Sequence, residues 1–194
     1  MKIYRRIVSK IHDSTSYISI QDVKDHLRTV NTDEDGYLSA ILDAAFDMVE
    51  NHLTYPVRLH RVQFTSYSWP LNGFTLPGKF HALESIKYYA ENTNELTPLD
   101  TASYAYQLRS HALAVMYIDD ASLPDTYEDR LDGVQVNTQM GWVPGDMPSA
   151  IRAAVLLNIG DLYEERKNTT AGTLGTLARG TEFLLNPYLI PEFV

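Results

Sequence analysis

The sequence predicts an α+β fold, with helices towards both ends and a β-rich antiparallel insertion between the second and third helices. Three observations carry that prediction. Apolar residues recur at helical spacing near both ends: Tyr37, Leu38, Ile41, Leu42, Ala45, Val49 and Leu53 early, and Ile151, Ala154, Val155, Ile159 and Leu162 late. Between about 57 and 143 the apolar period falls to two. Turn-forming residues then divide that middle stretch into short runs, at Pro70, Asn72-Gly73, Pro77-Gly78, Asn92-Thr93-Asn94 and Asp119-Asp120.

Residues 1–17 show no convincing period and are read as an arm, mobile or ordered by a partner. Ser19-Ile20-Gln21-Asp22 fits a capping box, in which the Ser hydroxyl accepts a helix amide and the carboxylate reaches back. A short helix over about 20–28 follows, with Ile20, Val23, Lys24 and Leu27 on one side. Asn31 to Asp35 breaks it and starts the second helix, whose positive end acidic residues favour. Tyr55-Pro56 ends that helix, because a residue before Pro is pushed out of the helical region.

In the middle stretch Val62, Phe64 and Ser66 alternate with polar neighbours. Tyr104, Tyr106 and Leu108 share one face, as do Leu113, Val115 and Tyr117. Five to seven short strands are expected, with Ser103 to Ile118 forming one hairpin that turns at Ser110-His111. Pro148 suits the first turn of a third helix, and Arg166 and Lys167 suit its negative end. Thr169 to Gly180 is a Gly/Thr-rich spacer, too poor in apolar surface to offset its ordering entropy. A last helical turn or two around Thr181–Leu185 precedes Pro187 and an apolar tail. The expected organisation is an arm over 1–17 and one domain over 18–194. Within that domain the helical core is 18–56 and 147–187, the insertion 57–146 and the tail 188–194.

With 194 residues the chain can bury a sizeable core. It carries 16 Lys and Arg against 25 Asp and Glu, a net charge of −9. That balance argues against a surface that wraps nucleic acid, which needs clustered cations, but allows a channel through which DNA slides. There is no Cys, so no disulfide framework and no thiolate chemistry or thiolate metal site. The charged N-terminus lacks an apolar stretch after it, and no window approaches a membrane helix, so the chain is expected to fold in the cytosol.

Chemistry finds little footing. His12, His26, His52, His60, His81 and His111 form no His-x-His or His-Glu-x-x-His cluster and are read as surface or half-buried side chains. No Gly-x-Ser-x-Gly elbow is present. Gly175 to Thr181 has the glycines of a phosphate loop without its Lys. Asp119, Asp120, Asp125, Glu128, Asp129 and Asp132 miss the calcium-loop pattern and read as a solvated acidic loop. No catalytic residue, cofactor or metal site is assigned. The 13 Tyr and two Trp are a different signal, because these residues serve cores and protein interfaces alike. Trp69 and Trp142 are read as core. Tyr188, Leu189, Ile190, Phe193 and Val194 are read as a partner-binding handle, because an apolar tail after a spacer has no evident place in its own core.

Two blocks of the chain carry a family resemblance. The first runs from Ile18-Ser19-Ile20-Gln21-Asp22-Val23-Lys24-Asp25-His26-Leu27-Arg28 through Asp33-Glu34-Asp35, Ala44-Ala45 and Val49-Glu50 to Leu53-Thr54. The second covers Val134 to Tyr188, through Gly141-Trp142, Met147-Pro148-Ser149-Ala150-Ile151-Arg152, Asp161 to Arg166 and Phe183-Leu184-Leu185-Asn186-Pro187-Tyr188. In order and spacing they resemble the head–tail connector (adaptor) proteins of long-tailed bacteriophages, prophages and gene transfer agents. The resemblance covers about half of the chain. It implies a core of about four helices carrying a length-variable β-rich insertion. It also implies a structural virion protein, made in the host cytoplasm, that assembles as a ring, typically dodecameric, beneath the portal protein. Such a ring extends the DNA channel, meets DNA only as it passes, and offers a surface to a stopper or tail-side neck protein. By the same resemblance the tail handle inserts between portal subunits or neighbouring copies. The chain departs from the family in two places: Leu189 stands where many relatives have Arg after Pro-Tyr, and the middle is longer than in the smallest relatives. Two other readings are another neck or tail-completion protein, and a small cytosolic hydrolase using Asp/His pairs.

Overall fold

The structure, a computed structural model, describes residues 3–30, 32–70, 73–91, 95–109, 112–117, 123–127, 130–164 and 179–190. The chain divides into two compact units, Met1–Ile11 with Leu59–Gly141, and His12–Arg58 with Trp142–Val194. The first is built of strands and the second of helices, so the fold is α+β with a β-rich region between the second and third helices.

In the helical unit a 3-10 turn at Ser14–Ser16 leads to α1 (Ile20–Leu27), α2 (Asp35–Leu53), α3 (Ser149–Glu164) and α4 (Arg179–Leu185). The capping box at the start of α1 is present in full. Ser19 Oγ accepts the Asp22 amide at 3.1 Å, and Asp22 Oδ2 accepts the Ser19 amide at 3.0 Å. Arg28 closes α1 in the left-handed region, φ 56°, and its amide donates to the carbonyls of Lys24 and Asp25. At the start of α3 the Pro148 carbonyl accepts the Arg152 amide at 3.0 Å, so Pro148 caps the helix instead of lying in its first turn.

The α2 face that the apolar spacing predicts is buried from Leu38 onward, whereas Tyr37 at its start is exposed. Leu38, Ile41, Leu42, Ala45, Phe46, Val49 and Leu53 all lie in the interior, and α2 packs on α3 through Ile151, Ala154, Val155 and Ile159. Each fully buried aliphatic side chain, Leu42, Val49 and Val155 among them, stabilises by roughly 1.5–3 kcal/mol. Leu162, expected in the same core, is only half-buried. The last turn of α3 is held instead by Tyr163, whose hydroxyl donates to Glu34 Oε2 at 2.9 Å and whose ring lies beside that of Tyr37.

The β unit holds two antiparallel sheets. The larger has the order β1-β2-β8-β4-β5, from β1 (Tyr4–Lys10), β2 (His60–Ser66), β8 (Val134–Met140), β4 (Phe80–Tyr89) and β5 (Leu96–Pro98). The smaller has the order β3-β7-β6, from β3 (Phe74–Pro77), β7 (Ala112–Tyr117) and β6 (Tyr104–Arg109). Seven of these strands fall in the expected insertion. The hairpin expected over Ser103–Ile118 is β6 paired to β7, in register from Tyr104↔Tyr117 to Arg109↔Ala112. Its turn at Ser110-His111 lies outside the described residues, as do Asn72, Asn92-Thr93-Asn94 and Asp119-Asp120.

Alternation along the large sheet sorts its two faces. His60, Val62, Phe64 and Ser66 of β2 and Val134, Val136, Thr138 and Met140 of β8 are buried on one side, where the rings of Phe64 and Phe80 stack. The other side carries an amide row, in which Gln63 Nε2 donates to Gln135 and Asn137, and Asn137 Nδ2 donates to Ser85. A one-faced core of this kind is what antiparallel sheets allow. Gly133 is required at the entry to β8, because a Cβ there would stand 2.3 Å from the Tyr67 carbonyl oxygen.

One expectation is corrected outright. Residues 4–10, read within an arm lacking a regular period, form β1 and pair antiparallel with β2. Six of its seven residues are exposed, so neither face carries an apolar alternation to read.

Candidate interface site around the end of the chain

The geometry at the end of the helical unit begins with α2. Its last turn closes on Thr54 in the left-handed region, φ 63°, which is unusual for a β-branched residue. Tyr55 and Pro56 then turn the chain away, and Glu50 clamps that turn. Its Oε1 accepts the amides of Val57 and Arg58 at 3.0 and 2.9 Å and Arg58 Nε at 3.2 Å, while Oε2 accepts Arg58 Nη2 at 2.8 Å. The Arg58 guanidinium is fully buried, 5.2 Å from the centre of the Phe46 ring. It donates further to Ser14 Oγ at 2.9 Å, to Asp43 at 3.2 Å and to Asp47. Ser14 in turn donates to Asp43, which ties the 3-10 turn to α2. Burial alone would pull the guanidinium's pKa down, but the Glu50 and Asp47 carboxylates outweigh it and hold the group above its ordinary value. Arg58 is therefore a permanent cation with its donors engaged.

The clamped turn positions an aromatic platform. The Trp142 amide donates to the Val57 carbonyl at 2.9 Å, and its carbonyl accepts the Tyr17 hydroxyl at 2.8 Å. Its ring lies 6.1 Å from that of Tyr55 and 6.2 Å, edge to face, from that of Tyr188. The Tyr55 hydroxyl donates to the Tyr188 carbonyl at 2.8 Å. Burial, and then the neighbouring Tyr188 phenol, push the Tyr55 phenol above its usual value, so it remains a neutral donor.

The chain reaches this platform through α4, which packs on α3 with Thr181 and Leu185 buried and Thr181 Oγ1 3.4 Å from Asn158 Oδ1. A 3-10 turn at Asn186–Tyr188 follows. Tyr188, read as part of a partner-binding handle, is thus half-buried in the helical unit's own aromatic contacts. Leu189 is exposed and Ile190 half-buried just beyond it, and Phe193 and Val194 lie outside the described residues. Of the expected spacer, residues 169–178 lie outside the described residues, and Arg179 and Gly180 open α4. Phe183, part of the second resembling block, is 78% exposed on α4. The same helix buries Thr181 and Leu185, so this ring stands open on its outer side. Its sequence signal was weak, because Leu184 and Leu185 beside it are equally apolar.

The resembling N-terminal block is explained by contacts around the same helices. Lys24, itself buried, pairs with Asp35 at 2.5 Å. Asp22 pairs with Arg152 at 3.0 Å, and Arg152 also donates to the Tyr17 carbonyl. The acidic turn before α2 thus fastens α1 and α3 to the start of α2. Trp69, read as core, is half-buried in the β unit, where its indole donates to the Pro124 carbonyl at 2.8 Å. Among the described residues, no three His, Cys, Asp or Glu side chains group as a metal site, and no helix is long and apolar enough to cross a membrane.

Residues 17–107 match the phage gp6-like head-tail connector protein family. The family read from the sequence, that of phage head–tail connectors, is the one this match identifies. No curated protein sequence matches the chain. Among solved structures, the chain is similar to one in the virion of the native gene transfer agent (GTA) particle. The two share 17% identity at a TM-score of 0.73, over 97% of this chain and 95% of that one. It is also similar to chains from two neck structures. One is the neck of the native GTA particle computed with C12 symmetry, at 16% identity and TM-score 0.68, over 97% of this chain and 94% of the other. The second is the neck of the empty GTA particle computed with C6 symmetry, at 18% identity and TM-score 0.67, over 97% and 95%.

Proposed function

From a chain whose residues 17–107 carry the phage gp6-like head-tail connector pattern, we propose a structural neck component of a virion, a ring that docks on the portal protein. The family match is the observation that carries this reading. The sixfold and twelvefold symmetry of the neck structures with the same fold supports a ring of copies. The ring extends the DNA channel and offers its far surface to a stopper or tail-side protein. DNA passes through without tight binding, consistent with 25 acidic residues against 16 basic ones. The role assigned is mechanical, and no reaction is attributed to the chain.

Attachment to the portal is through the exposed end of the helical unit. Phe183 on α4 and Leu189 present apolar surface there, while Tyr188 is anchored to Tyr55 and Trp142. A short apolar segment binds weakly by itself, since ordering it costs free energy. A ring repeats the contact, and avidity makes the whole attachment firm.

The test follows from the anchoring. Removing residues 187–194 would strip Tyr188 from the platform, so the informative cut is after Tyr188. Deleting residues 189–194 is expected to leave the melting temperature near that of the full chain and to abolish binding to purified portal, giving heads that package DNA and then lose it. Undiminished portal binding by the folded, truncated chain would move the docking surface elsewhere.

A further inference from the structure

The geometry points to β1 (Tyr4–Lys10) as a docking edge that seats on the helical unit of a second copy of this chain. The inference rests on the ring reading above and names the surface through which neighbouring copies meet.

β1 is the outermost strand of the large sheet, with β2 as its ladder partner. Its apolar side chains are open, Ile7 at 50% and Val8 at 55%, with Tyr4 similarly exposed. Ile7 pairs with Val62 and Ser9 with Arg61, so Val8 is the extra residue of a bulge and has no cross-strand neighbour on β2. A seven-residue edge strand that shows apolar side chains to this extent is a surface built for association or a liability.

Charge identifies what covers it. β1 carries Arg5, Arg6 and Lys10 and no acidic residue. Two β1 strands laid side by side would gather six cations, which disfavours self-pairing. The helical unit, His12–Arg58 with Trp142–Val194, has seven Lys and Arg against fifteen Asp and Glu, a net of −8. The β unit has nine against ten, a net of −1. The negative surface that complements β1 is therefore concentrated on the helical unit. There even the carboxylates bound to Arg58, those of Asp43 and Asp47, keep about half of their side chains in solvent, at 52% and 58%. A contact between two different surfaces of identical chains is heterologous, and such contacts form a ring when the rotation between neighbours closes. Opposite charge selects the partner and the orientation, and Ile7 and Val8 supply the apolar area.

The chain has no Cys, so Val8→Cys introduces a single thiol. That thiol is labelled with a benzophenone maleimide, and the protein is photolysed after assembly on portal-bearing heads. The expected product has twice the chain's mass, with the far end of the cross-link in residues 12–58 or 142–164. In parallel, unlabelled Arg6→Glu is expected to need about tenfold more protein to assemble, the scale of losing an interface anchor, whereas Arg6→Lys assembles like the wild type. Cross-links that run to DNA, to portal protein or only within one chain overturn the inference, as does unimpaired assembly of Arg6→Glu. If the unmodified chain never joins portal-bearing heads, the ring reading itself fails and takes this inference with it. If it joins and the cross-link maps elsewhere, the inference alone fails.

Discussion

The helical unit is held in part by a buried network of charged side chains, whereas the β unit rests on strand ladders and an apolar interior. Arg58 lies fully buried among Ser14, Asp43, Asp47 and Glu50, and Lys24 pairs with Asp35 in the same unit. The β unit keeps its ion pairs near solvent, Arg61 with Glu84 and Arg130 with Asp132, and lines its interior with Val62, Phe64, Phe80, Ile86 and Val136. The difference has a mechanical consequence. A buried ionic network fixes specific loops, here the turn at Tyr55–Arg58, but is unforgiving of a missing partner. Ladders and aliphatic packing spread their stabilisation over many small contacts and tolerate single changes at the surface.

The largest expected effect comes from breaking the network. Glu50→Ala leaves Arg58 buried with fewer acceptors and strands the Val57 amide. It should cost about 3–5 kcal/mol in urea unfolding, the range for removing one partner of a buried pair. A loss below about 1 kcal/mol would mean that water reaches the guanidinium and the contrast between the units is overstated. Next comes ordinary packing. Val155→Ala, at the fully buried centre of α3, should cost about 2–3 kcal/mol through lost methyl groups and the cavity left behind. An unchanged melting temperature would show that α3 does not face the core as described.

A smaller effect depends on pH in both units. The Ser19 hydroxyl and amide, and then Arg152, hold the Asp22 carboxyl below the usual carboxylate range, and a hydrogen bond from Arg130 does the same for Asp132. A depressed folded-state pKa gives stability that is fully present above the ordinary value of about 4 and is lost as pH falls through the lower folded value. Asp22→Asn should flatten the acid side of the stability curve, measured by thermal melts between neutral pH and about pH 3. An unaltered curve would show that this pairing does not persist in solution. The smallest effect is expected at the exposed pair, where Arg61→Gln should change stability by less than about 1 kcal/mol. A larger loss there would erase the distinction between a network-held and a ladder-held unit.

What was legible in the sequence was local. The capping box at Ser19–Asp22, the stop at Tyr55-Pro56, the apolar face of α2 and the hairpin at 104–117 each follow from a few neighbouring residues, and each is present. What escaped was set by distant partners or by the lack of any. β1 gave no alternation because it is exposed on both faces. The placement of β8 between β2 and β4 depends on pairings across 46 to 80 positions of sequence, and no local pattern encodes it. No neighbouring residue marks Arg58 as buried, and only the fold gathers three carboxylates around it. At the candidate site the apolar handle was visible as composition. The anchoring of Tyr188 by Tyr55 and Trp142 required contacts across 133 and 46 positions of chain.

The central claim, that this chain is the connector ring of a virion neck, is tested most directly by imaging. Portal-bearing heads prepared with and without the chain would be compared by electron cryomicroscopy focused on the portal vertex. The account predicts added ring density coaxial with the portal, in which both the helical and the β unit can be fitted and whose central channel is open to DNA. Heads that look the same with and without the chain, or density lying away from the portal axis, would contradict it.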